Sequence, residues 1–185
     1  MNNTLYINPL TPEINFMIFQ WEQTITKTLT KNLDTASIFP KMLVGIVDEY
    51  TINEIWCVTG PGPFTLMRVV TLAINALTYT RPIIVKSCHF FDLITSENLP
   101  IIEANPREYL IRQDGEVVSM MKWELVVWAY EGIFSDIDST VGSKSIQYKE
   151  ERGNIVHLFA TKQIENNISP IYFKPPHITC PKISI

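Results

Sequence analysis

What this 185-residue chain has little of limits its chemistry first. Cysteine is scarce: Cys57, Cys88 and Cys180 are odd in number, far apart and without a C-x-x-C pair, so they read as reduced, mostly buried thiols of a cytosolic protein. Histidine is as scarce. His89, His157 and His177 stand alone with no second ligand at metal spacing, and no metal site is expected. There is no Gly-x-Ser-x-Gly nucleophile elbow, no Walker pattern with its Gly-Lys-Ser/Thr, and no G-x-G-x-x-G. Basic charge is not in excess either. A net charge of -4 and a pI near 5.4 give no overall field to draw nucleic acid or an anionic membrane surface, although a local basic groove stays open as an option. Met1-Asn2-Asn3-Thr4 has no basic region leading into an apolar one, and no later apolar run reaches membrane-spanning length, so a cytoplasmic protein is expected.

The composition that is present, 46% hydrophobic and 18% charged, suits one good core or two small lobes. Leu5-Tyr6-Ile7 and Ile14 to Phe19 are β-rich runs around a turn at Asn8-Pro9-Leu10-Thr11-Pro12. Gln23 to Thr30 alternates threonines with other residues as a strand with one wetter face does. Ser37 then suits the N-cap of a helix to about Tyr50. Its apolar side is Phe39, Met42, Leu43, Ile46, Val47 and Tyr50, with Lys41 and Asp48 opposite and Gly45 beside the apolar face. Such a glycine lets a second helix approach, or it tolerates crowding within the chain. Ile55 to Val58 is apolar without alternation, as a strand covered on both faces should be.

Next comes the most constrained stretch, Gly60-Pro61-Gly62-Pro63-Phe64-Thr65-Leu66-Met67-Arg68. Glycines that can take positive φ alternate with prolines that fix φ and delete N–H donors, so a stiff loop aims a helix. A phosphate cradle at that helix start is one reading, weakened by the lost donors; a structural turn is the other. The helix from Phe64 to about Tyr79 carries Arg68, Thr71, Asn75 and Thr78 in one polar stripe. Its apolar residues, among them Leu66, Met67, Val69, Val70, Ala73, Ile74, Ala76 and Leu77, span an arc of roughly 180° where a core-facing helix needs about 100°. One sheet would not cover that arc.

Ile83-Ile84-Val85 reads as another strand and Cys88 to Thr95 as a short helix. Ile101-Ile102, Tyr109 to Arg112 and Glu116 to Met120 open a second lobe, with a type I′ hairpin at Asp114-Gly115. Lys122 to Tyr130 fits strand or helix. Asn154 to about Ile164 reads as the last helix, and Pro170 to Lys182 as an extended tail. Asp136 and Asp138 would share one side of an extended segment, as a carboxylate pair or a solvated face. Trp123 and Trp128 suit core or lobe packing better than a stacking platform.

Gly60 to Arg68 resembles, at six of nine positions, the Gly-Pro-Gly-Ser-Phe-Thr-Gly-Leu-Arg motif of the TsaB (YeaZ) family of tRNA threonylcarbamoyladenosine proteins. It falls where that family has it, after three strands, a helix and a strand. Pro170-Ile171-Tyr172-Phe173-Lys174 similarly resembles the family's Pro-x-Tyr-Leu-Arg ending. The departures are Pro63 in place of serine, Leu66 in place of a second glycine, Asn8-Pro9 after the first strand in place of Asp-Thr-Ser, and Ala104 to Tyr109 in place of the Asp-Ala-Arg segment.

The resemblance implies an α/β protein of the actin-like ATPase (ribonuclease H-like) fold in two lobes. Residues 1–98 would form the first lobe with its partner-binding helices, and 99–185 a reduced, divergent second lobe and tail. It implies a non-catalytic scaffold docked through those helices onto a TsaD-like catalytic subunit, with an interface at Met42, Gly45, Ile46, Glu49, Leu66, Val69, Val70, Ala73 and Leu77. Gly60, Pro61, Gly62, Pro63, Phe64, Thr65 and Arg68 would form a structural loop. No cofactor is expected in this chain; ATP, metal and threonylcarbamoyl-AMP would sit on partner subunits, which include a TsaE-like ATPase as an option. Contact with tRNA would come only through the complex, and a homodimer could form when the chain is alone. Two other readings stand: a small kinase-like enzyme binding nucleotide at Gly60 to Phe64, and an unrelated dimeric binding module.

Overall fold

Alternation along three strands divides the first lobe into two cores. In the computed structural model, which describes residues 3–32, 34–95, 97–105, 107–125, 129–134 and 146–173, β1 (Asn3–Asn8), β2 (Glu13–Gln20) and β4 (Ile52–Val58) are buried on both faces. Leu5, Ile7, Ile14, Phe16, Ile18, Ile55 and Cys57 point to one side, under α1 (Thr35–Tyr50) and α2 (Phe64–Thr80). Tyr6, Met17, Phe19, Trp56 and Val58 point to the other, where Phe90, Phe91, Ile155 and Phe159 meet them. Strand period two thus feeds two layers from one sheet. The sheet runs β3-β2-β1-β4-β5, with β3 at Gln23–Thr30 and β5 at Ile84–Cys88. The first three strands are antiparallel, while β1, β4 and β5 are parallel.

A second sheet, β10-β9-β6-β7-β8, comprises β6 (Leu99–Asn105), β7 (Glu108–Gln113), β8 (Glu116–Met121), β9 (Tyr130–Ile133) and β10 (Ile146–Gln147). Asp114 and Gly115 take φ of 52° and 85°, the conformation a type I′ hairpin demands at both central positions. Ile101, Tyr109, Ile111, Leu125 and Tyr130 form this sheet's own small core, while Ile102 and Leu110 face the first lobe.

Several elements differ from the sequence expectation. Helix α1 starts at Thr35, not Ser37, because Asn32 organises the entry: its carbonyl accepts from the Thr35 N–H and hydroxyl, and its side-chain oxygen from the Asp34 N–H. Cys88 to Thr95 holds only a 3-10 turn, Phe90–Leu93. The last helix, α3, spans Arg152–Thr161, two residues earlier than expected and stopping short of Ile164. Past it, Glu165 pairs with the edge of β5, its N–H on the Val85 carbonyl and its carboxylate accepting from the Ser87 N–H and hydroxyl. With that pairing, α3 and Ile168 pack against the first lobe: Phe159 stacks on Trp56 at 5.0 Å and Ile168 joins the first core. Trp123 is 74% exposed rather than packed. Asp136, Asp138, Trp128, Cys180, His177 and the tail beyond Phe173 lie outside the described residues. Cys57 and Cys88 are buried free thiols whose burial pushes their pKa up. Among the described residues, no helix is long and apolar enough to cross a membrane.

Candidate functional site

The Gly60–Arg68 corner is built by two stretches far apart in sequence. The Gly62 N–H donates to the Ile171 carbonyl, the Ile171 N–H to Thr59, and the Phe173 N–H to Gly62, which makes a short parallel bridge. Gly60 has φ of 133°, and a Cβ there would lie 2.1 Å from the Ile171 oxygen; one at Gly62 would lie 2.6 Å from Leu10 and Met67 side-chain atoms. Gly60 is therefore closed to a side chain by backbone, whereas a side chain at Gly62 would require the Leu10 and Met67 side chains to shift. Gly60-Pro61 is cis. The Phe64 ring lies 4.7 Å from that of Tyr172, and the Arg68 guanidinium sits over the Phe64 ring at 5.2 Å. With the Gly62 N–H engaged and none on Pro61 or Pro63, few loop donors remain for an anion.

This corner launches α2, whose polar stripe is only partly a solvent stripe: Arg68 is exposed, but Thr71 and Asn75 are turned to the chain itself. The Asn75 side chain donates to the Ile168 carbonyl and accepts from the Ile168 N–H, at 3.0 Å each, while the Thr71 hydroxyl is buried on the Met67 carbonyl. Ile168 covers that flank at Asn75, while solvent meets the exposed Arg68 together with apolar residues. Leu72 is 59% exposed and Tyr79 92% exposed, with Ala76 exposed between them. Arg68 is the one charged residue in the 17 of α2.

The nine expected interface residues divide into two sets. Met42, Leu66, Val69 and Ala73 are half-buried, and Gly45 and Glu49 exposed, on the outer side of the paired helices. Ile46, Val70 and Leu77 instead belong to the chain's own core and offer no surface, a correction to their assignment as contacts. Helical spacing alone could not separate an inward position from its neighbour 100° away. A Cβ on Gly45 would meet nothing within 4 Å, so this glycine relieves no crowding inside the chain. Glu49 is already ion-paired to Lys27 at 2.7 Å, and the hydrogen bond from that lysine holds its carboxyl below the usual range.

At the N-terminal ends of both helices lies a groove of about 320 Å³, lined by Lys31, Asn32, Thr35, Ala36, Pro63, Thr65, Leu66 and Val69. Lys31 is half-buried, donates to the Thr11 carbonyl, and has its pKa drawn down to about 8 by burial. Sequence reasoning missed it.

A second unforeseen constellation lies between the lobes. Asn8 and Asn15, opposite each other across β1 and β2, each donate a side-chain amide to one oxygen of Glu150, at 2.8 and 2.6 Å. Asn8 also accepts from the Leu10 N–H, which fixes its amide orientation. Burial raises the Glu150 pKa, and the buried hydroxyls of Tyr6 and Tyr148 lie close by. Nearby, Asp92 receives Arg112 at 2.7 Å and Lys162 at 2.8 Å, tying β7 of the second lobe and the chain after α3 to the first. His89 caps the intervening turn, its Nδ1 accepting from the Phe91 N–H, and burial lowers its pKa to about 4.

Two lobes, a first sheet of three antiparallel and two parallel strands, and helices on both faces define an α/β protein of the actin-like ATPase (ribonuclease H-like) fold. No family model matches the chain, and no curated protein matches it in sequence. Among solved structures, YeaZ from Pseudomonas aeruginosa aligns with a TM-score of 0.53 over 71% of this chain and 76% of its own, at 16% identity. An uncharacterised protein with similarity to peptidase YeaZ from Pseudomonas aeruginosa aligns with a TM-score of 0.61 over 94% of this chain and all of its own (100%), at 12% identity. The fold is thus YeaZ-like.

Proposed function

We propose that this chain is a non-catalytic subunit that binds and activates a TsaD-like catalytic protein in forming N6-threonylcarbamoyladenosine in tRNA. The observation that carries this reading is the outer surface of α1 and α2, where Met42, Gly45, Leu66, Val69 and Ala73 are flanked by the exposed Leu72 and Tyr79. A specific interface buries roughly 800 Å² per partner, which two adjacent helices of this length can supply. The YeaZ-like fold adds support, as does a Gly60–Phe64 loop whose geometry serves the 171–173 segment. In this reading Ile46, Val70 and Leu77 hold the helices in place from beneath. ATP, metal and threonylcarbamoyl-AMP belong to partner subunits, a TsaE-like ATPase among them, and tRNA is met through the complex. The same face serves a homodimer when the catalytic subunit is absent.

Reconstitution with the TsaD-like protein of the same genome tests the proposal. Omitting this chain should reduce N6-threonylcarbamoyladenosine in the tRNA to background; unchanged yield would contradict it. Calorimetry of the isolated chain with ATP and magnesium should give no binding heat. Micromolar affinity would favour a kinase-like enzyme.

A further inference from the structure

The groove at the head of the two helices combines an apolar lining with one cation. Ala36, Pro63, Leu66 and Val69 supply the walls, Asn32, Thr35 and Thr65 the polar edge, and Lys31 the charge. An ammonium has three N–H donors, and the Thr11 carbonyl takes one. Among the described residues, no carboxylate lies within ion-pair reach of Lys31. The charged groups on the surrounding elements are Glu13 on β2, which accepts from the Thr30 hydroxyl, Lys27 on β3, Asp34 at the start of α1 with Lys41, Asp48 and Glu49 further along it, and Arg68 on α2, which lies over Phe64. None of them lines the groove. A half-buried cation without a counter-charge is costly, and a carboxylate from outside would relieve that cost.

Leu66 and Val69 belong both to this groove and to the outer helix face, so the two are one continuous surface. We infer that the groove is the anchor pocket of that docking face and receives a partner segment with a bulky apolar side chain next to an aspartate or glutamate, whose carboxylate pairs with Lys31. The inference rests on the proposed function and specifies the chemistry of the partner. It also accounts for Leu66: a large residue there makes the groove wall against which the apolar side chain packs.

The pairing gives binding a pH signature. Burial has drawn the Lys31 pKa in the free chain down to about 8, and a bound carboxylate raises it, so affinity is full below pH 8 and falls above it. The test is the dissociation constant of the complex with the TsaD-like subunit between pH 7 and 9.5, for the natural chain, Lys31→Met and Lys31→Arg, with thermal unfolding of each variant as a control. The natural complex should weaken about tenfold across that range. Lys31→Met should bind about tenfold more weakly at pH 7 with no such pH dependence, and Lys31→Arg should bind tightly at every pH. If Lys31→Met binds like the natural chain with an unchanged pH profile, while Gly45→Arg abolishes the complex, the anchor pocket is wrong and the docking face stands. If the natural chain forms no complex at all, both fall.

Discussion

The outer face of α1 and α2 and the seam between the lobes are finished in opposite ways. At the seam, polar groups meet polar groups of the same chain: Asn8 and Asn15 clasp Glu150, and Arg112 and Lys162 clasp Asp92. On the helix face, Leu72 and Tyr79 are left to solvent, and among the described residues no carboxylate lies within ion-pair reach of Lys31 in the adjoining groove. The seam is an interface already made, whereas the face has the makings of one still to be formed. The first kind sets stability and its pH dependence; the second sets association.

Substitutions sharpen that contrast. Glu150→Ala leaves the buried Asn8 amide and the half-buried Asn15 amide without their acceptor and should cost about 3 kcal/mol in urea unfolding, with partner binding per folded molecule unchanged. Ala73→Arg should do the reverse, weakening the complex by about 100-fold while moving stability by less than about 0.5 kcal/mol. Asp92→Asn should cost about 2 kcal/mol at pH 7.

The two seam carboxylates also carry opposite pH slopes. Burial pushes the Asp92 carboxyl up, but hydrogen bonds from Lys162 and Arg112 outweigh it and hold the carboxyl below its ordinary value of 3.8. Its contribution is therefore present above pH 3.8 and lost as pH falls below that, a loss absent from Asp92→Asn. Burial holds Glu150 above its ordinary 4.5, so its contribution is full below pH 4.5 and declines as pH rises. Glu150→Gln should abolish that decline in thermal unfolding between pH 4 and 7. The smallest effect belongs to Gly45→Ala, which fills open space in a helix interior and should stabilise by about 1 kcal/mol.

Much of the first lobe was legible because its signals are local. The β-rich runs of β1 and β2, the period-two alternation of β3, the apolar β4 and, in the second lobe, the Asp114-Gly115 turn each depend on neighbours in sequence. The Gly60–Arg68 corner was legible as a stiff loop, but its partner at 171–173 lies over a hundred residues away, and no local pattern announces the bridge. The seam was invisible for the same reason: Glu150 meets Asn8 across 142 positions. The partners of α2's polar stripe were not legible, because Asn75 and Thr71 are satisfied inside the chain, and composition cannot tell a solvated amide from one clamped on Ile168. Strands β9 and β10 escaped since four- and two-residue strands carry too little pattern.

Gly45→Arg tests the central claim most directly. The position lies on the outer helix face with open space around it, so the arginine fits the free chain without disturbing its core. The account predicts that thermal unfolding is unchanged or slightly raised while binding to the TsaD-like subunit is lost. A Gly45→Arg chain that folds normally and binds that subunit as tightly as the natural one would contradict it.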